Sequence, residues 1–429
     1  MWKRLVAVSA IFVGMAIAWF ILGATIANRT RSSDRKLSDA VSGLWGSVQS
    51  QRSPSLSFSW EELRIVEEKV KDQSTGRETV VTREQWLTTQ QPVLLDRSDL
   101  SVDFLLDQRK KGLLWYPTYA IDFDGLYSYE HVSAREGELT IVYQFPSKQA
   151  SYDAFVFTVD GGEDVKLTPE STGDANIVRR IIPVQPGSVV TFRIAYRSRG
   201  LDSWRYAFGD TVSRVKDFRL SMTTNFRDID FPGGTISPTA TQDTPDGWDL
   251  TWEFENLVSG FEVGMEMPRK LNPGPLAAQI SFFAPISLLF FFVWLFVISL
   301  LRGIDLHPVN YLFLGAAFFS FHLLFAYTVD HLDLMVAFAT SATVSLFLVV
   351  SYLRLVVGAR FAALEAGVSQ LVYLVLFSYA HFFEGMTGLI VTIGSIATLF
   401  FLMQLTGRIR WSEIGAGVRT EGRVSPTRR

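Results

Sequence analysis

Six strongly apolar segments punctuate this chain, one at the extreme N-terminus and five packed into the last third, with a long polar stretch between them. The first, Leu5 to Ile26, carries no charged residue over 22 positions. At about 1.5 Å per residue it is long enough to cross a hydrocarbon core of roughly 30 Å. A cleaved signal is the rival reading, because Thr25 and Ala27 loosely resemble a small-residue cleavage site, but the apolar core of a signal is only about 7–15 residues long. Length therefore favours a retained anchor. The other runs lie near Ile280 to Leu300, Val309 to Val329, Leu334 to Leu353, Val368 to Tyr379 with its flanks, and Leu389 to Leu405.

Six crossings put both termini on one side, and the bias of Lys and Arg in the short connections says which side. With the termini lie Lys3, Arg4, Arg302, Arg354, Arg360, Arg408 and Arg410, together with Arg419, Arg423, Arg428 and Arg429 in the tail. The opposite loops, Thr328 to Asp333 and Ala380 to Gly388, hold none. This places the termini in the cytoplasm and the long polar stretch outside; the basic cluster after the first span is weak counter-evidence, since long domains translocate largely regardless of charge. The fifth crossing has the weakest pattern, with Arg360 and Glu365 near its start and His381 and Glu384 near its end.

A formal net charge of -3 leaves no footprint for nucleic acid. The chain has no cysteine, which excludes disulfides, thiolate metal sites and cysteine nucleophiles at once. The outer region must then hold itself together with its own core, for which it is large enough.

That region reads as β. Alternating or β-branched runs occur at Ser55 to Trp60, Leu139 to Phe145, Ala154 to Val159, Val189 to Tyr196, Phe218 to Thr223 and Trp248 to Phe254. Turn residues punctuate them, among them Asp160-Gly161-Gly162, Gln185-Pro186-Gly187 and Pro245-Asp246-Gly247. Short strands so spaced predict one or two antiparallel β-sandwiches. The best helical candidates there are Trp60 to Asp72 and Leu100 to Lys111, and the basic stretch Asn28 to Asp39 reads as a linker. Asn272-Pro-Gly-Pro275 reads as a stiff, non-helical connector that keeps the last strand close to the bilayer.

The fold expected is a membrane α-helical bundle with an extracytoplasmic, mainly-β domain inserted between the first and second transmembrane helices. Its parts are a helix over 1–28, the β-rich domain over 29–275, a five-helix bundle over 276–407 and a basic tail over 408–429.

No phosphate-binding loop, dinucleotide fingerprint, zincin motif or nucleophile elbow is present. His131 reads as an exposed strand or loop residue. Asp122 and Asp124, two apart on one strand face, could be paired carboxylates but read better as solvated outward-facing acids. No catalytic, cofactor-binding or metal-binding residue is assigned, and no cofactor is expected.

Several blocks together resemble the inner-membrane CreD family. They are Ser42-Gly-Leu-Trp-Gly-Ser-Val-Gln49 with Ser53-Pro-Ser-Leu56, then Arg109-Lys-Lys-Gly-Leu-Leu-Trp-Tyr-Pro-Thr-Tyr119 with Asp122-Phe-Asp-Gly-Leu126, and, most clearly, Leu306-His-Pro-Val-Asn-Tyr-Leu-Phe-Leu-Gly315. The similarity runs from about residue 40 to 405, with Ser53 standing where a Gly-Pro pair is typical. It implies a bacterial inner-membrane protein with a role in envelope integrity and no established enzymatic activity.

Ionisable groups inside a membrane are costly and are functional candidates by default. His322 lies within the third crossing. In the fifth, Gln370, Tyr373, Phe377, His381 and Glu384 follow spacings that place them along one helical stripe. With Asp330, His331 and Asp333 of the outer loop, they suggest an intramembrane polar site of His322, His331, His381 and Glu384 near the outer leaflet. The plainer reading has His322 bonded to a neighbouring helix and the loop residues simply solvated. Ala337, Ser341 and Ser345 form a packing row, and His307 with Pro308 a helix start.

The leading expectation is a non-enzymatic envelope protein whose periplasmic β domain binds a protein, glycan or lipid and is coupled to the bundle. A small-ion or lipid carrier is one alternative; a membrane-embedded enzyme using the His/Glu site is the other.

Overall fold

The computed structural model describes residues 2–71, 78–112, 114–162, 168–173, 175–209, 211–383 and 385–407. It resolves into a large β-rich region and several apolar helices, in two compact units: Met1–Arg35 with Leu271–Arg429, and Lys36–Lys270. Among the described residues six helices are long and apolar enough to cross a membrane.

The first of these, α1 (Trp2–Trp45), does not stop at residue 28. The stretch read as a linker from Asn28 to Asp39 is helical throughout, because nothing in it breaks a helix: it holds neither Gly nor Pro. Helices α2 (Pro273–Leu301), α3 (Pro308–Thr328) and α4 (Leu334–Val357) follow, then a fifth span over Phe361–Phe382 and a sixth over Thr387–Thr406. Asn272 caps α2 in extended conformation, with Pro273 opening the helix. The Pro-Gly-Pro expected to be a non-helical connector is thus the first turn itself, where a proline's missing N–H leaves no bond unmade.

In the helical unit α1 and α3 run parallel and in register. Trp19 meets Phe318, Phe319 and His322, while the guanidinium of Arg4 pairs with Asp305 and that of Arg29 with Asp330 at 2.8 Å. Buried polar groups tie the rest together. Gln370 donates to the Ser345 hydroxyl at 2.8 Å, and Ser345 donates to the Ala317 carbonyl at 2.6 Å, which joins the fifth span to α4 and α4 to α3. Ser287 of α2 donates to the Tyr373 carbonyl. Ala337, Ser341 and Ser345 are fully buried, the small side chains that allow helices to approach. The fifth span winds as π-helix over Phe361–Gly367 and Leu371–Leu376. This wider winding, alternating with α-turns, keeps Ala362, Ala366, Gln370, Leu374 and Ser378 buried at every fourth position.

The other unit is built of strands. They run β1 (Gln49–Arg52), β2 (Ser55–Lys71), β3 (Glu78–Val93), β4 (Arg97–Leu106), β5 (Arg109–Lys111), β6 (Leu114–Tyr116), β7 (Thr118–Glu130) and β8 (Gly137–Gln144). Then come β9 (Tyr152–Val159), β10 (Glu170–Thr172), β11 (Ala175–Val184), β12 (Val189–Leu201), β13 (Ser203–Ala207), β14 (Ser213–Thr224), β15 (Ala240–Asp243), β16 (Trp248–Ser259) and β17 (Val263–Glu266). The largest sheet has the order β15-β16-β14-β4-β7-β12-β9, and a second has β10-β11-β8-β2-β3.

All six runs read as strands from the sequence fall on strands, Phe145 alone standing one residue past the end of β8, and the three turn triplets fall between strands. The two helical candidates do not form helices. Trp60 to Lys71 lies in β2, paired with β3, with Asp72 outside the described residues, and Leu100 to Lys111 spans β4 and β5. Cross-strand pairing outweighs the helix preference of Glu, Leu and Lys in the first. In the second the decisive signal is alternation, with Leu100, Val102 and Phe104 buried between exposed Ser101, Asp103 and Leu105.

Inward residues of both large sheets share one core that includes Phe58, Ile141 and Tyr143 from the smaller and Phe123, Phe192 and Trp252 from the larger. Burial of each such ring stabilises by roughly 1.5–3 kcal/mol. At its centre the core is polar: the Gln51 carboxamide oxygen accepts from the hydroxyls of Tyr143 at 2.6 Å and Tyr196 at 3.1 Å, and its nitrogen donates to the Arg52 carbonyl at 2.6 Å.

Candidate functional site

The outer face of the seven-stranded sheet carries a groove of about 580 Å³. Period-two alternation builds it: β12 buries Phe192, Ile194 and Tyr196 and so turns Arg193, Arg197 and Arg199 outward. Strand register then lines up one charged row across four strands. Asp103 of β4 stands opposite Asp122 of β7, Asp122 opposite Arg197 of β12, and Arg197 opposite Asp153 of β9. The wall is the end of α1, Gly43 to Trp45, held by packing of Leu37, Val41 and Trp45 with Leu114, Tyr116 and Leu201. At Gly46, φ +106°, a Cβ would overlap the Arg199 carbonyl, so glycine alone lets the chain leave the helix against β12.

One edge of the groove is strained. Register shifts between Ala195 and Arg197, where β9 inserts an extra residue and Ala154 adopts φ 50°. Such a bulge re-aims its neighbours, here Asp153, which lines the groove.

Arg197 donates to Asp122 at 2.9 Å, and Arg193 forks onto Asp124 at 2.8 and 2.5 Å. These hydrogen bonds raise both guanidinium pKa values above the ordinary one. Asp122 and Asp124 are thus outward-facing acids, each matched by an arginine. Among the described residues no ion pair reaches Asp103, Asp153 or Arg199. The groove was not legible in the sequence, but the arginines at alternate positions of Thr191-Phe-Arg-Ile-Ala-Tyr-Arg-Ser-Arg199 were the available signal.

His131, expected to be exposed, is fully buried against Phe58. Its ring nitrogens bridge the Tyr129 hydroxyl at 3.1 Å and the Arg135 carbonyl at 2.7 Å, which fixes the turn after β7.

In the helical unit His322 and His381 are 1% and 2% exposed and within electrostatic range of each other. Each has its Nδ1 3.2 Å from the carbonyl four residues back, Phe318 and Phe377 respectively. Among the described residues no hydrogen-bond partner reaches the buried His381 Nε2, and the ring packs on Phe283 and Phe377. Gln370, Tyr373 and His381 of the expected stripe are buried, while Phe377 is half-buried. The other candidates have separate employments. His331 is exposed, and among the described residues no side-chain bond joins it to either histidine. Asp330 is bound to Arg29, and Asp333 caps α4 by accepting from the Met335 amide at 2.9 Å. Glu384 lies outside the described residues. Asp333→Ala is expected to cost about 0.5–2 kcal/mol, the worth of one N-cap, read as a small drop in the detergent-solubilised chain's unfolding temperature.

His307 caps α3, its Nδ1 accepting from the Val309 amide at 3.3 Å with Pro308 opening the helix. This begins the segment whose sequence most resembled a known family. Residues 280–412 match the family model Inner membrane protein CreD. The CreD resemblance read from Leu306 to Gly315 is borne out over that stretch; the blocks at 42–56 and 109–126 lie outside it. CreD is an inner-membrane family, in keeping with the apolar helices. No curated protein matches the chain.

Among solved structures, a Legionella pneumophila protein described as nutrient-binding aligns at 9% identity and TM-score 0.35, covering 58% of this chain and 94% of its own. The M1 zinc metallopeptidase of Deinococcus radiodurans aligns at 10% identity and TM-score 0.26, covering 40% and 42%.

Proposed function

We propose that this chain is a non-enzymatic inner-membrane protein of CreD type whose β-rich region binds a component of the bacterial envelope. The observation that carries the reading is the groove of about 580 Å³, where Asp103 and Arg199, which no ion pair reaches among the described residues, and Asp153 surround the matched pair Asp122–Arg197. A volume of this order is typical of small-ligand sites. The shared core of the two large sheets supports a sandwich-like reading of the region. The arginine bias of the short connections supports cytoplasmic termini and a periplasmic β region. Because α1 is one unbroken helix from Trp2 to Trp45, it supports coupling between groove and bundle.

A carrier is the second reading, favoured by one observation, the buried Nε2 of His381, without a partner among the described residues and within electrostatic range of His322. Complementation of an envelope-stress phenotype, in cells deprived of the chain, separates the two. Asp122→Ala with Arg197→Ala, at normal protein level, is expected to abolish complementation, and His322→Ala with His381→Ala to retain it. The reverse pattern would sink the groove reading and install the carrier.

A further inference from the structure

The free charges of the groove define what could sit in it. Asp103 lies on β4 and Arg199 on β12, two strands and two residues apart. At about 4.8 Å between strands and 3.3 Å per residue, their Cα atoms are about 12 Å apart. Asp103 faces Asp122 across the β4–β7 ladder, and since Arg197 already offsets Asp122, Asp103 is the carboxylate of this row left to attract a cation. Arg199, with no acidic partner among the described residues, offers a planar fork for a carboxylate. Between these poles the groove exposes apolar side chains, Leu105 at 57% and Leu44 at 64%.

We infer that the groove takes a short peptide with both termini free, its ammonium between Asp103 and Asp122 and its carboxylate on Arg199. This deepens the reading of the groove as a binding site and rests on it. A single amino acid carries both charges on one carbon and cannot span the poles. An extended tripeptide, at about 3.4 Å per residue, can. Small side chains would meet Leu44 and Leu105, while Asp153 and Gln149 remain for a polar residue.

Calorimetric titration of the full chain in detergent tests this with trialanine, N-acetyl-trialanine and trialanine amide. Each capped peptide is expected to bind about tenfold or more weakly than the free one, as loss of a charge-assisted contact implies. In Asp103→Asn the penalty for acetylation should vanish while that for amidation stays, and Arg199→Gln should do the converse. Both positions are on the outer face of the sheet, and unchanged far-ultraviolet ellipticity checks the fold. Capped peptides binding within about twofold of trialanine, or no binding of trialanine at all, would overturn the assignment. A neutral oligosaccharide that binds in its place would do the same but keep the groove. Full complementation by the Asp122 and Arg197 double variant is the separate result that removes the groove itself.

Discussion

Raising the pH above about 10 is expected to unfold the β-rich unit abruptly. Burial pushes the phenols of Tyr119, Tyr127, Tyr143 and Tyr196 well above their ordinary range, and that of Tyr206 up to about 12. An unfolded tyrosine loses its proton near pH 10. Below that value both states keep these protons and stability does not change. Above it the unfolded chain sheds protons that the folded chain retains, so the stability held below pH 10 is lost as the pH climbs toward the folded values. Each group contributes up to about 1.4 kcal/mol per pH unit, and the five together about 7. Against a typical domain stability of about 5–15 kcal/mol, that slope spends the whole margin within one or two units. Phenolate absorbance and loss of ellipticity should therefore rise together, and Tyr143→Phe should flatten the transition. Tyrosines that ionise near pH 10 with ellipticity intact would refute this account.

Gln51→Leu is expected to destabilise the same unit by about 3–4 kcal/mol. The substitution is close in volume, so no large cavity opens. What it removes is the acceptor of two phenolic hydroxyls and the donor to the Arg52 carbonyl. Each buried polar group stranded in this way costs about 1–3 kcal/mol, reduced where a hydroxyl can turn to another neighbour. Thermal unfolding followed by tryptophan fluorescence would measure it. The double variant with Tyr143→Phe should lose less than the sum of the two single changes, because one stranded hydroxyl is gone. Strict additivity would show that Tyr143 and Gln51 are not coupled.

The contrast between the two units explains how much could be read in advance. The six spans announce themselves through local composition, and strands such as β12 and β16 through alternation that needs no partner to be seen. The caps at His307 and the packing row from Ala337 to Ser345 are also local patterns. The groove is of another kind. Asp103, Asp122, Arg197 and Asp153 stand far apart in the chain and become one row only through the register of three strand pairs. Trp60 to Asp72 misled for the same reason, since its helix-favouring composition yields to pairing with a strand that begins only at Glu78. Among the polar residues of the helical unit, type alone separated candidates poorly. His322 and His381 lie within electrostatic range of each other, but the roles of Asp330 and Asp333 depend on Arg29 and on the start of α4, which only the fold reveals.

The two arginine–aspartate pairs that join α1 to α3 also measure the bilayer this protein suits. Arg29 follows Arg4 by the same 25 positions that separate Asp330 from Asp305. At about 1.5 Å per residue the two charge layers stand about 37 Å apart, wider than a hydrocarbon core of roughly 30 Å and within the 40–45 Å that includes the headgroups. A bilayer of that thickness wets both pairs. In a thinner one, α1 and α3 must lean over together as a single braced rod, so lipid thickness sets the tilt they share.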